Sequence, residues 1–152
     1  MNGHISIVLL LLFVLFTPEV RAQDGTPAEA VVKWNQVVLE VAEKEDGFLT
    51  LKGLRTAVMM HVAMHDALNS VEPVYATYSS STSVSDADKF VSLNQAAFTV
   101  ASAQYPDMHE RFEELRDVFV SDKKEAKGRG IELAVAISLS TDMTTNLTTR
   151  EI

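Results

Sequence analysis

No cysteine occurs among the 152 residues, so neither a disulfide framework nor a thiol nucleophile is available to this chain. Bases are scarce: 13 Lys and Arg stand against 21 Asp and Glu, a formal net charge of -8. That balance excludes nucleic acid as the main partner, because phosphate backbones are gripped by clustered cations. There is no glycine-rich phosphate loop and no Ser-centred nucleophile elbow. No alternating apolar and polar run is long enough for a half-buried strand, and neither an internal repeat nor a heptad series occurs. The length suits one domain or part of one. What is present, 47% apolar and 22% charged residues, is a globular composition.

The longest apolar run, Ile5 to Phe16, is broken only by Ser6. It falls short of the roughly 20 residues that span a bilayer, but it fits the apolar region of a signal peptide. Val20 and Ala22 are small enough for the minus-three and minus-one places of a cleavage site, which puts the cut before Gln23. Residues 1–22 are therefore expected to be a signal peptide and residues 23–152 the mature chain, secreted or periplasmic, with no stable membrane span after cleavage. Mass spectrometry of the exported protein should find Gln23 as the first residue. An intact Met1 in the membrane fraction would overturn this and favour an anchor.

The remaining pattern is helical. Thr26, Pro27 and Glu29 form a helix start, with a Thr cap, a proline where the missing N–H costs nothing, and Glu three residues on. Val31, Trp34, Val38 and Val41 follow on one face, and Gly47 can end the helix. A second helix is expected from Leu51 to about Ser70, capped by Thr50 and stopped by Glu72-Pro73. Its apolar residues cover nearly every face, which predicts burial on all sides. A Ser- and Thr-rich linker, Tyr75 to Ser85, leads to a third helix with Ser85 as cap, Asp88 three residues later, and a stripe of Phe90, Leu93, Ala97, Val100 and Ala101. Tyr105-Pro106 closes it. Met108, Phe112, Leu115 and Phe119 mark a fourth, surface helix. A fifth begins near Asp122 and carries Ala126, Ile131, Ala134, Val135 and Ile137, with Gly128 and Gly130 inside it. The expected fold class is all-α, a bundle of about five helices after a signal peptide.

His61 and His65 lie four apart on the second helix, a spacing that serves for two metal ligands. Residue 62 is Val where the zinc-protease motif needs Glu, and His109, Asp66 or Glu72 would have to complete a site, so the histidines read as packing or hydrogen-bonding groups. Arg55, His61, His65 and Asp66 are polar on a helix that otherwise looks buried, and an internal ion-pair network is the expected role. Lys123, Lys124, Lys127 and Arg129 form a small basic cluster suited to an anion, and Asn146-Leu147-Thr148 has the form of a glycosylation acceptor.

Val32-Lys33-Trp34-Asn35, Arg55, and the run Met60-His61-Val62-Ala63-Met64-His65-Asp66-Ala67-Leu68-Asn69-Ser70-Val71-Glu72-Pro73-Val74-Tyr75 together resemble the amino-terminal helices of vanadium-dependent haloperoxidases. Those enzymes share a superfamily with type-2 phosphatidic acid phosphatases and bacterial acid phosphatases. Ala96-Ala97, Tyr105-Pro106, Ala126-Lys127-Gly128, Gly130 and Ala134-Val135-Ala136 resemble the two helices that follow, so the likeness runs from about Ala30 to Asp142. The resemblance implies a helical bundle that holds vanadate or phosphate among Lys, Arg, a Ser-Gly-His string, a second Arg and a final His, where cationic donors neutralise the oxyanion. None of those strings occurs here. Lys123 and Arg129 imitate the Lys and Arg pair, but Gly130 stands where Pro is required.

No catalytic, cofactor-binding or metal residue is therefore assigned to this chain, and vanadate is implied only for full-length members of the family. The expectation is an incomplete haloperoxidase-like fold, inactive alone and a fragment of a longer enzyme. Its partner would be a missing carboxy-terminal catalytic region or a second copy of itself, met through an open apolar patch near Met59, Met60, Ala63 or Met64. The alternative is a small exported helical binding protein with an apolar cavity.

Overall fold

The computed structural model of the protein describes residues 26–47, 50–79, 82–120 and residue 137. The segment 1–22, most of the fifth helix, the basic cluster Lys123 to Arg129 and Asn146 lie outside the described residues. Those described are all-α. Four helices follow one another as α1 (Pro27–Glu45), α2 (Leu51–Val71), α3 (Lys89–Gln104) and α4 (His109–Val120), with a short 3-10 turn, Pro106–Met108, before the last. Ile137 is helical and fully buried in the same core. Among the described residues no helix is long and apolar enough to cross a membrane.

The ends form as the cap chemistry dictates. Thr26 accepts from the Glu29 amide at 3.2 Å, and Thr50 accepts from the Gly53 amide at 3.3 Å. α1 stops at Asp46, whose N–H returns to the Ala42 carbonyl, and Gly47 follows in the left-handed region at φ 70°. A side chain at that φ would be strained, so glycine is the residue that lets the chain leave the helix there. The third helix departs from expectation. Its cap is Asp88, which accepts from the Phe90 and Val91 amides at 2.8 and 2.9 Å, and Ser85 belongs to the turn before it. Both residues are of cap type; a carboxylate reaching two orphan amides is the stronger acceptor.

α3 is the central element, packed most extensively on α2 and also on α4 and α1. Small residues, Ala96, Ala97 and Ala101, let the neighbouring helices come close, while Leu93 and Val100 fill the space around them. Trp34 of α1 is fully buried against Phe112 of α4, ring centroids 6.3 Å apart. Its indole N–H donates to Asn94 Oδ1 at 2.9 Å, and the Asn94 amide donates to the Phe90 carbonyl at 2.8 Å, so this buried polar pair is satisfied.

Burial of α2 is one-sided, contrary to the expectation from its sequence. Met59, Met60, Ala63 and Met64 are buried, whereas Leu51 is 85% exposed, Val58 62% and Leu54 47%. The open apolar face thus lies on the side of the helix away from the residues expected to form it. Apolar residues all round a helix say that any face can be buried, not which one has a neighbour.

Candidate functional site

The chemistry-bearing residues of α2 meet the loop that follows them. Asp66 is fully buried, and its carboxylate accepts from the Tyr78 amide at 2.8 Å, the Ser79 amide at 2.7 Å and the Ser79 hydroxyl at 2.8 Å. One turn later, Asn69 Oδ1 accepts from the Val74 and Tyr75 amides at 3.2 and 2.7 Å. Two side chains on adjacent turns thereby clasp residues 74–79 against the helix. Loop backbone, which makes no ladder of its own, needs such acceptors.

Asn69 also fixes the state of His65. With Oδ1 on the loop amides, the Asn69 Nδ2 group faces His65 and donates to its carbonyl at 2.8 Å and towards its Nδ1 at 3.3 Å. Nδ1 is then bare, and the proton sits on Nε2, which donates to the Ala76 carbonyl at 3.1 Å. The imidazole lies between Tyr75, stacked at 6.4 Å, and Tyr78, tilted at 5.0 Å. With both nitrogens engaged, His65 offers no lone pair to a metal while the loop is seated.

The other candidates are dispersed. His61 donates through Nε2 to Asn35 Oδ1 at 3.0 Å, and partial burial holds its basicity below the usual histidine range. His109 lies on α4 and meets the Phe98 ring edge-on at 5.1 Å, while Glu72 pairs with Lys89. Among the described residues no three His, Cys, Asp or Glu side chains come together as a metal site. The expected ion-pair network of Arg55, His61, His65 and Asp66 is not formed. The hydrogen bonds of Asp66 come from loop donors, and Arg55 is exposed, with no ion pair to another described residue. A buried carboxylate with three good donors has no need of a cation.

Sequence reasoning missed a second polar cluster, at the α1–α2 corner. Asp46 accepts from the Thr50 hydroxyl at 2.7 Å and the Tyr105 hydroxyl at 3.0 Å, and the Lys52 ammonium lies 4.0 Å from the Tyr105 ring centre. The Thr50 hydrogen bond lowers the Asp46 carboxyl most; burial opposes it, and the Tyr105 hydroxyl and the Lys52 charge add to the lowering. Tyr105 is pushed up to about 12, by burial first and then by the Asp46 carboxylate. The legible signal was Thr50, a cap-type residue four positions after an Asp. Because the folded Asp46 is more acidic than in the unfolded chain, its contribution to stability is present above the ordinary Asp value of ~4 and fades as pH falls through its lower folded value. Tyr105 contributes below ~10 and loses its contribution as pH rises towards 12. Urea titrations of wild type and Asp46→Asn should show that the variant has lost part of the acid-side slope. Identical slopes below pH 5 would contradict this assignment.

Grooves open at the surface among the described residues. One, of about 260 Å³, lies at the foot of the clasped loop and is lined by Pro27, Leu68, Asn69, Val74 and Tyr75, with the Glu72 and Lys89 pair at its edge. Another, of about 330 Å³, runs between α1 and α4 and is lined by Val32, Leu115, Val118 and Phe119, with Glu29, Lys33 and Gln36. Compared with protein-family models, curated proteins and solved structures, the chain has no match in any of the three.

Proposed function

We propose that this chain is the scaffold part of an exported helical oxyanion enzyme, of the vanadium haloperoxidase or acid phosphatase kind, and that the groups holding vanadate or phosphate belong to a catalytic region it does not itself contain. One observation carries this reading. Three polar residues of the resembling run, His65, Asp66 and Asn69, clasp the loop that follows α2, while His61 is tied to Asn35 and Glu72 to Lys89. That is the work of a scaffold, since groups with every hydrogen-bonding site engaged are poor partners for a substrate. The Trp34 and Asn94 pair serves in the same way between α1 and α3.

Two measurements test the proposal. The coding sequence after codon 152 is expected to encode an in-frame Ser-Gly-His string flanked by Lys and Arg; its absence from the locus overturns the reading. Purified residues 23–152 should catalyse neither vanadate-dependent bromination nor phosphate ester hydrolysis. Turnover abolished by His61→Ala or His65→Ala would equally overturn it.

A second reading, a small exported helical binding protein, is favoured by the groove between α1 and α4, whose apolar floor is bordered by Glu29, Lys33 and Gln36. It expects a monodisperse monomer with a sharp thermal transition that an apolar ligand shifts upwards. The scaffold reading expects binding of hydrophobic dyes and self-association.

A further inference from the structure

The exposed face of α2 is apolar along its middle, with Lys52 and Arg55 along one flank. Leu51, Leu54 and Val58 recur at helical spacing, and all three are among the most exposed apolar side chains described. Val62 continues the row until the clasped loop covers the helix from His65 onwards. The uncovered length, from residue 51 to residue 62, is roughly three turns, about 16 Å at 1.5 Å per residue. Beside it stand Lys52, half-exposed but already paired with Asp46 at 3.9 Å, and Arg55, which has no ion pair to another described residue and is the free cation of this face among the described residues. His61 lies on the other side, held by Asn35 of α1. No acidic residue of α2 is exposed, since its one acid, Asp66, is buried. On a chain of net charge -8 this face is a local exception.

From this juxtaposition we infer that the open face of α2 is a docking surface for an amphipathic helix of about three turns whose apolar stripe is flanked by Asp or Glu. The apolar row supplies contact, and Arg55 selects charge and register, in the manner of flanking charges beside a helical seam. A second copy meeting the same face antiparallel would set bases against bases, which disfavours self-pairing there. The inference does not depend on the scaffold reading, because it rests on exposure and charge alone.

The probes are two synthetic helical peptides with the same leucine stripe, one flanked by Glu and one by Lys, titrated by fluorescence anisotropy into residues 23–152. The Glu peptide should bind and the Lys peptide should bind at least about tenfold more weakly. Leu54→Asp and Arg55→Glu should each weaken the Glu peptide by about tenfold or more, and Arg55→Glu should restore some binding of the Lys peptide. Both substitutions are at exposed positions, so circular dichroism and the unfolding midpoint should match wild type. Equal binding of both peptides, binding of neither, or a dimer of the chain dissolved by Leu54→Asp would each overturn the inference.

Discussion

Trp34→Ala is expected to destabilise the bundle by about 3–5 kcal/mol, the range for removing a large buried aromatic. Trp34 is fully buried between α1, α3 and α4, so the space it leaves cannot be filled from solvent, and Asn94 Oδ1 loses its donor in the middle of the core. Against a total stability of roughly 5–15 kcal/mol for an ordinary domain, such a loss is a large share of the whole and should lower the unfolding midpoint markedly. The two contributions can be separated. Trp34→Phe keeps an aromatic ring but removes the indole N–H, and should cost about 1–3 kcal/mol, mainly through the orphaned Asn94 oxygen. In the Asn94→Leu background that part of the cost should vanish. A double-mutant cycle by urea denaturation measures the coupling directly. Equal costs for Trp34→Phe with and without Asn94 would mean that the hydrogen bond contributes nothing.

The second large effect is expected at Asp66. Asp66→Ala leaves the Tyr78 and Ser79 amides and the Ser79 hydroxyl without their acceptor and opens a buried gap, for a loss of about 3 kcal/mol. The damage should be concentrated in the loop. Hydrogen exchange should show the Tyr78 and Ser79 amides losing protection, while the amides of α3 follow only the global change. Asp66→Asn retains one acceptor and should fall between wild type and alanine. Unchanged protection at Tyr78 and Ser79 in Asp66→Ala would show that something else holds the loop.

Much of this fold is legible in the amino-acid sequence. Thr26 and Thr50 cap the helices expected of them, Gly47 follows the end of α1, and the Phe112 stripe of α4 faces the core. These are local rules, decided within a turn or two of the residue concerned. What failed depended on partners distant in sequence. Nothing in α2 distinguishes Leu54 from Met60 as the exposed residue; only the positions of α1, α3 and the loop do so. The partners of Asp66 were hidden because they are chiefly backbone amides, which carry no side-chain signature. A cation was the natural expectation from sequence, and the loop supplied neutral donors instead. Asn94 was more nearly readable. It falls within the stripe of Phe90, Leu93 and Ala97, and the chain's one tryptophan requires an acceptor once buried.

The clasp and the tryptophan bond differ in how far along the chain they reach. Asp66 meets Ser79 across 13 residues, whereas Trp34 meets Asn94 across 60. Closing the longer span costs roughly 1.4 kcal/mol more chain entropy, before counting the helices that must first be aligned. α2 and its loop therefore form a short-range unit able to close on its own, and α1 is joined to α3 only when the bundle assembles. The clasp of residues 66–79 is accordingly expected to close before Trp34 reaches Asn94.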